Sequence, residues 1–121
     1  MRERERVGAL RRLDAEMRVY RQAGRKKNPT NDLLRAVRQA LCIPVKEIAG
    51  KMGVNRSGVF ELEKSEVRNT INLGSLSRMA KAMGCKVVYG IVPKDGKTLE
   101  RLAEERMWQK VLGGQGTGVR D

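Results

Sequence analysis

The spacing of small and apolar residues within residues 43–65 restricts the fold more than any other feature of this chain. The segment reads IPVKEIAGKMGVNRSGVFELEKS, in which two short helical patterns, 45–52 and 56–64, are separated by Gly53-Val54-Asn55. Two helices can cross closely only where the turn between them is small, and Gly53 also tolerates a positive φ. The apolar residues expected to seal the crossing are Ile48, Val54, Val59 and Leu62, and Ala49 is small enough for the second helix to pack against. The segment therefore predicts two short helices that cross around a tight turn.

Apolar periodicity extends the helical pattern on both sides of this segment. A helix is predicted from about residue 28 to residue 41, with Asn28 or Thr30 as its N-cap and Pro29 in its first turn. Its inward residues are expected to be Leu34, Val37 and Leu41. A fourth helix is predicted between the cap residue Asn72 and Gly84. Its apolar residues are Leu73, Leu76, Met79, Ala80 and Met83.

The segments on either side of this bundle have different patterns. Residues 2–23 predict one helix with a narrow apolar stripe, formed by Val7, Leu10, Leu13, Met17 and Tyr20. Residues 85–92, CKVVYGIV, are rich in β-branched side chains and predict a strand. Thr98 is expected to cap a last helix that ends near Leu112, and the glycine-rich residues 113–121 predict a disordered tail. The chain is thus expected to be all-α with one strand, divided into residues 1–27, 28–84, 85–112 and 113–121.

The charge of the chain indicates an acidic partner. It has 26 Lys and Arg against 14 Asp and Glu, a formal net charge of +12. Residues 1–27 hold ten basic against four acidic side chains and residues 28–97 hold twelve against six, whereas residues 98–121 hold four of each. Basic side chains that neutralise phosphates release condensed counterions, so nucleic acid is the partner that this charge favours.

The residue types that carry most catalytic and metal chemistry are missing. There is no His and no closely spaced pair of cysteines, which argues against the usual zinc sites and the Ser-His and Cys-His catalytic pairs. We therefore expect no enzyme activity, no metal and no cofactor. Cys42 and Cys85 stand among apolar residues and are expected to be buried thiols in a reducing cytoplasm. No apolar run approaches the ~18 residues of a membrane span, so a cytoplasmic location without membrane contact is expected.

Residues 38–83 resemble the helix-turn-helix regulators of the Xre/Cro/CI class. The class pattern runs roughly Leu-Ala, three residues, Gly-Val-Ser, then Ile-Ser and Ile-Glu, and the corresponding residues here include Ile48-Ala49, Gly53-Val54-Asn55 and Leu62-Glu63. The resemblance implies a lambda-repressor-like bundle that presents a recognition helix to DNA. It also implies a structural ion pair between Arg38 in the first helix and Glu63 at the end of the recognition helix. One position departs from the class, because Val45 stands where a DNA-contacting Gln is common.

A narrower resemblance covers nearly the whole chain. The order LRRLDAEM, LLRAVRQAL, the central motif and CKVVYGIVPKDGKTLERLAEE is similar to the family called mobile mystery protein A. Members of that family are encoded beside a Fic-domain partner on mobile elements. The resemblance implies an antitoxin-like or operon-regulating role, with a Fic-domain protein as a partner.

The outward side of the 56–64 helix is the candidate base-reading surface. Arg56, Ser57, Phe60 and Glu61 share that side by their three- and four-residue spacing. Arg can donate to guanine, Glu can accept from cytosine, and an aromatic ring can lie against a thymine methyl. The candidate phosphate contacts are Lys46, Asn55, Lys64 and Arg68. A lone Phe among charged side chains favours this interpretation over an ordinary solvated face.

These features predict a sequence-specific regulator of double-stranded DNA that acts as a homodimer and represses its own operon. A function of another class stays open, namely direct neutralisation of a Fic-domain toxin by protein contact. Residues 2–23 fit a DNA-binding arm, a dimer helix, a partner-binding helix or a helix packed on its own domain. The predicted strand 85–92 needs a partner, and pairing with its twin across a two-fold axis is attractive because no second strand is evident.

Overall fold

Only helices form regular secondary structure in the described parts of the chain, which are residues 2–25 and 31–113 of a computed structural model. The helices are α1 (Glu3–Glu16), α2 (Arg18–Gly24), α3 (Leu33–Ala40), α4 (Val45–Met52), α5 (Arg56–Val67), α6 (Leu73–Ala82) and α7 (Leu99–Gly113). The all-α class is therefore confirmed for these residues. The chain divides into two compact units: a terminal unit from Met1–Asn28 and Tyr89–Asp121, and a central unit, Pro29–Val88.

Helices α3 to α6 enclose the core of the central unit. The side chains of Ile48, Val59 and Met79 have no solvent exposure, and each comes from a different helix. Leu34 brings α3 into the same cluster. Burial of such apolar surface is the main source of stability, at about 25 cal/mol per Å² removed from water. The core contacts only one side of α5 and leaves the opposite side of that helix exposed.

The starts of α3 and α6 are set by side chains that accept hydrogen bonds from backbone amides. Asn72 Oδ1 accepts from Ser75 N at 2.7 Å, so α6 begins at the predicted cap. In α3 the role is taken by a distant residue, because Leu34 N donates to Glu66 Oε1 at 2.8 Å. The cap predicted for this helix within residues 28–30 lies outside the described residues.

Four side chains predicted to be buried in the central unit are exposed. Leu41 is the C-cap of α3 and Val54 lies in the turn before α5, so neither has a helix packed over it. Cys42 and Cys85 are exposed free thiols. Cys42 has a φ of 57° just beyond α3, and Cys85 follows the end of α6; at both places the backbone turns away from the core. Cys42 and Cys85 stand next to apolar residues in the sequence, but they are not buried, because the turn at each position decides the direction of the side chain.

An antiparallel pair of helices, α1 and α7, forms the framework of the terminal unit. Asp14 near the end of α1 is buried, and its carboxylate accepts from the backbone N of Leu99 at 2.7 Å and of Glu100 at 3.1 Å. Arg21 of α2 lies 3.6 Å from the same carboxylate and donates to the Asp14 carbonyl at 2.7 Å. A single side chain of α1 thus caps α7 and holds α2.

The N-terminal segment forms two helices where the periodicity predicts one. The backbone of Met17, with φ −89° and ψ 5°, departs from helical geometry and separates α1 from α2. Beyond this break, Tyr20 packs closely against Gly90, where a Cβ would lie 2.5 Å from Tyr20 Cγ. Glycine is therefore required at position 90.

The strand predicted at residues 85–92 is not formed. The segment has neither helix nor strand, and residues 86–92 make no backbone–backbone hydrogen bond within the described parts of the chain. β-Branched side chains favour an extended backbone, but a strand also needs a second strand for its amide and carbonyl groups. Val88, Tyr89 and Ile91 are exposed as a result.

The last helix begins where it is predicted. Thr98 Oγ1 accepts from Arg101 N at 3.1 Å, directly before α7. This helix ends at Gly113, so the first residue of the predicted tail is helical, and residues 114–121 lie outside the described residues. Over the part of the chain that is described, no helix combines the length and apolar character that a membrane crossing requires.

Candidate nucleic-acid interface

A tight turn fixes where α5 begins. Gly53 ends α4 with a φ of 68°, a left-handed conformation that favours glycine. Asn55 then caps α5, because its Oδ1 accepts from Gly58 N at 2.8 Å. Glycine at position 58, unfavourable within a helix, is explained by crowding: a Cβ there would lie 3.3 Å from Val54 Cβ. The first turn of α5 is thus closely packed against the preceding turn.

A bidentate ion pair holds α5 against α3. Arg38 Nε donates to Glu63 Oε2 at 2.6 Å, and a terminal nitrogen of Arg38 donates to Glu63 Oε1 at 3.3 Å. The two side chains are only 12% and 7% exposed. Burial of charges is costly unless they are paired and hydrogen-bonded, and this geometry meets both requirements. Because Glu63 points inward, the pair fixes which residues of α5 face solvent.

The outward side of α5 carries the side chains predicted to contact bases. Arg56, Ser57 and Glu61 are exposed, and Phe60 keeps 44% of its surface in solvent. Glu61 Oε1 lies 3.7 Å from Lys64 Nζ, an exposed pair that contributes little to stability and is easily exchanged for other partners. The core and the ion pair account for the inward residues, whereas Phe60 lies outside the buried core cluster.

The candidate phosphate contacts do not form one cluster. Lys46 lies in the first turn of α4 and is exposed. Asn55 uses Oδ1 for its cap, so its amide Nδ2 is left as the donor. Arg68 is the C-cap of α5, about 20 Å along the helix from Asn55 at 1.5 Å per residue. Lys64 is placed between them on the exposed side.

Two residues of α3 join this surface that the sequence analysis did not identify. Arg35 and Gln39 line a groove of about 560 Å³ between α3 and α5, together with Ser57, Phe60 and Lys64. Arg35 precedes Arg38 by three residues, and such residues share one face of a helix. The predicted contact of Arg38 with α5 was therefore the signal that could have placed Arg35 beside α5 as well.

The surface offers several hydrogen-bond donors, one carboxylate acceptor and one aromatic ring, which are the groups that recognise base edges and phosphates. No cluster of His, Cys, Asp or Glu that could hold a metal ion is present among the described residues. Comparison of the chain with protein-family models, curated proteins and solved structures finds no match.

Proposed function

We propose that this protein is a sequence-specific regulator that binds double-stranded DNA through a lambda-repressor-like helix-turn-helix. In this proposal α4 and α5 are the two helices of the motif, and α5 lies in the major groove. The observation that carries it is the division of α5 into two sides. Val59 and Glu63 lock the inward side, and Arg56, Ser57, Phe60 and Glu61 stand on the outward side.

The outward side chains match the chemistry of base edges. Arg56 donates through two nitrogens to the O6 and N7 of guanine, and Glu61 accepts from the N4 of cytosine. Phe60 lies against the methyl group of thymine, which accounts for an exposed ring among charged neighbours. Ser57 donates or accepts at either type of base pair.

Phosphate contacts set the register of the complex. Lys46, Lys64 and Arg68 act as cations, and Asn55 donates through its amide. The net charge of +12 favours association with a polyanion and makes the affinity depend steeply on salt. These contacts position α5 but carry no sequence information of their own.

The protein acts as a homodimer, and two copies of α5 reach half-sites separated by about 34–36 Å, one turn of the duplex. Occupancy of such an operator excludes polymerase and represses transcription. The resemblance to the Xre/Cro/CI class, and more narrowly to mobile mystery protein A, supports regulation of its own operon in an antitoxin-like role. Direct neutralisation of a Fic-domain toxin is the second candidate, and the uncovered apolar surface of the terminal unit favours some protein contact there.

The experiment is a binding titration of single variants against a randomised operator library at two salt concentrations. Arg56→Ala is expected to weaken operator binding by about 1–3 kcal/mol and to relax the preference at one base position. Phe60→Ala should lose discrimination for one thymine. Glu61→Gln should raise affinity for non-specific DNA, since a carboxylate repels phosphates, and lower the ratio of specific to non-specific binding.

Two further variants separate phosphate contact from base contact. Lys46→Ala should weaken binding to all sequences alike and reduce the slope of log K against log salt by about one unit. Arg101→Ala, which removes an exposed cation of the terminal unit, should leave the sequence preference unchanged. The assignment of α5 to the major groove is wrong if the variants at Arg56, Phe60 and Glu61 all keep the wild-type preference. Tight binding of the Fic-domain protein without any DNA affinity would instead favour the second candidate.

A further inference from the structure

The contact between α1 and α7 changes character along its length. At one end Asp14 caps α7, and the helices meet closely. Towards the other end they leave a groove of about 730 Å³. Its apolar floor is formed by Leu10, Ala103 and Met107, and three cations, Arg6, Arg106 and Lys110, also line it. The groove between α1 and α7 therefore combines apolar side chains with cations.

The groove holds more positive charge than the ion pair between Arg6 and Glu3 of α1 neutralises among the described residues. No carboxylate lines it. The acids of α7 stand in its first half, and each has a cation nearby: Glu100 pairs with Arg11, Glu104 with Arg101, and Glu105 with Lys97 and Arg101. Arg106 and Lys110 make no ion pair among the described residues. Cations that face one another without a carboxylate repel, so this end of the helix pair favours a ligand that supplies negative charge.

The helices around the groove also lack a covered core. Apart from Pro93, every apolar side chain that is buried in the described parts of the chain lies between residues 34 and 83, in the central unit. In α7, by contrast, Met107 is half exposed. Two helices cannot by themselves bury an apolar stripe, and a stable arrangement adds a further helix or sheet. The terminal unit thus has three helices, α1, α2 and α7, and the groove between α1 and α7 leaves room for another element.

We propose that this groove binds an acidic amphipathic helix of a partner protein. Carboxylates of the partner pair with Arg106 and Lys110, and its apolar side chains cover the floor formed by Leu10, Ala103 and Met107. A DNA duplex does not fit, because its backbone is convex and has no apolar group for that floor. A second copy of this chain is disfavoured, because it would bring the same three cations to the contact. The inference does not depend on DNA binding by α5.

The test uses the full chain and a short labelled helical peptide with Glu on one side and Leu on the other, followed by fluorescence anisotropy. The same peptide with Gln in place of Glu is the ligand control. The double variant Arg106→Glu/Lys110→Glu should weaken binding of the acidic peptide about tenfold or more and should gain affinity for a version with Lys in place of Glu. The matched control Arg18→Glu/Lys94→Glu changes the net charge equally at exposed positions outside the groove, and it should retain most of the affinity.

Specific results overturn the proposal. Equal binding of the Glu and Gln peptides shows that the carboxylates contribute nothing, and an equal loss in both double variants shows attraction to net charge without a site; either result contradicts the proposal. A loss of dimer mass in Arg106→Glu/Lys110→Glu by light scattering assigns the groove to a second copy. If duplex DNA displaces the peptide, and only Arg106→Glu/Lys110→Glu loses affinity for DNA, the groove binds DNA phosphates instead of a partner helix. Retained DNA affinity with lost peptide affinity supports the proposal, and circular dichroism shows that the variant is folded.

Discussion

At the scale of single residues, the pair formed by Arg38 and Glu63 carries most of the information about how α5 is oriented. Removal of one partner leaves a buried charge without compensation. Arg38→Ala is therefore expected to lower the free energy of unfolding by about 3–5 kcal/mol, as measured by urea denaturation. Lys64→Ala breaks only the exposed contact with Glu61 and should change the free energy by less than about 0.5 kcal/mol.

The double replacement of this pair distinguishes the cost of an unpaired charge from the value of the pair itself. Arg38→Met/Glu63→Leu removes both charges, so it should be less destabilising than Arg38→Ala alone. An unchanged melting temperature in Arg38→Ala would show that the pair contributes nothing to the stability of the fold and does not determine the orientation of α5.

The residues of the candidate interface could be predicted in part from the sequence. Residues on α5 follow from helical spacing once Val59 and Glu63 are taken as inward, and their exposure agrees with that spacing. Arg35 and Gln39 were missed, because the groove they line is formed between two helices and local spacing describes only one. Only the structure shows which atom of Asn55 can contact a phosphate, because Oδ1 accepts the capping hydrogen bond and Nδ2 is left as the donor.

At the scale of elements, Asp14 joins α1 to the start of α7. The first amides of a helix have no partner within that helix, and Asp14 accepts from two of them. Asp14→Ala should therefore destabilise the terminal unit by about 1–3 kcal/mol, because two partly buried amides lose their acceptor. The measurement is amide hydrogen exchange at Leu99 and Glu100, which should become faster.

A neighbouring carboxylate provides the control for this prediction. Glu16 belongs to the same helix but is exposed, so Glu16→Ala should leave the exchange of both amides unchanged. Asp14→Asn keeps one acceptor oxygen and should give an intermediate effect. Unchanged exchange in Asp14→Ala would mean that the cap has no energetic role.

The elements themselves were predictable where local chemistry decides them. Asn72 and Thr98 start helices at the expected positions because a cap acts over three residues. The break at Met17 was missed, since it accompanies contacts of Arg21 and Tyr20 with distant groups that an apolar stripe does not reveal. The strand predicted at 85–92 is not formed in the single chain, because β-propensity describes side chains and does not supply the second strand that pairing needs.

At the scale of the whole molecule, the two units differ in how fully they are packed. The central unit buries a contiguous apolar cluster from four helices, whereas the terminal unit buries a carboxylate, Asp14, and leaves Trp108 and Val111 of α7 exposed. A net charge of +12 opposes association of two copies, and only a contact that buries apolar groups or pairs backbone groups can offset this repulsion. The exposed segment 85–92 has apolar side chains that a contact could bury and backbone groups that a contact could pair.

The dimer of the proposed function is expected to form through this segment. Pairing of residues 85–92 with a second copy across a two-fold axis would give partners to their backbone groups and place cross-strand neighbours beside Val88 and Ile91. Light scattering at tens of micromolar should then give twice the chain mass of 13.6 kDa. Salt should strengthen the dimer, because it screens the repulsion between two basic chains, while it weakens DNA binding.

Substitutions at matched exposed positions locate the dimer contact. Ile91→Lys places a charge on the proposed edge and should yield the monomer mass, whereas Val19→Lys, at an exposed apolar position of α2, should leave the dimer intact. If Trp108→Lys dissociates the dimer and Ile91→Lys does not, the contact belongs to α7 and the pairing of residues 85–92 is wrong. A mass of 13.6 kDa for the unmodified chain, alone and with DNA, would contradict the dimer altogether. In that case two half-sites could not be read by one assembly, and repression would require a different geometry on the operator.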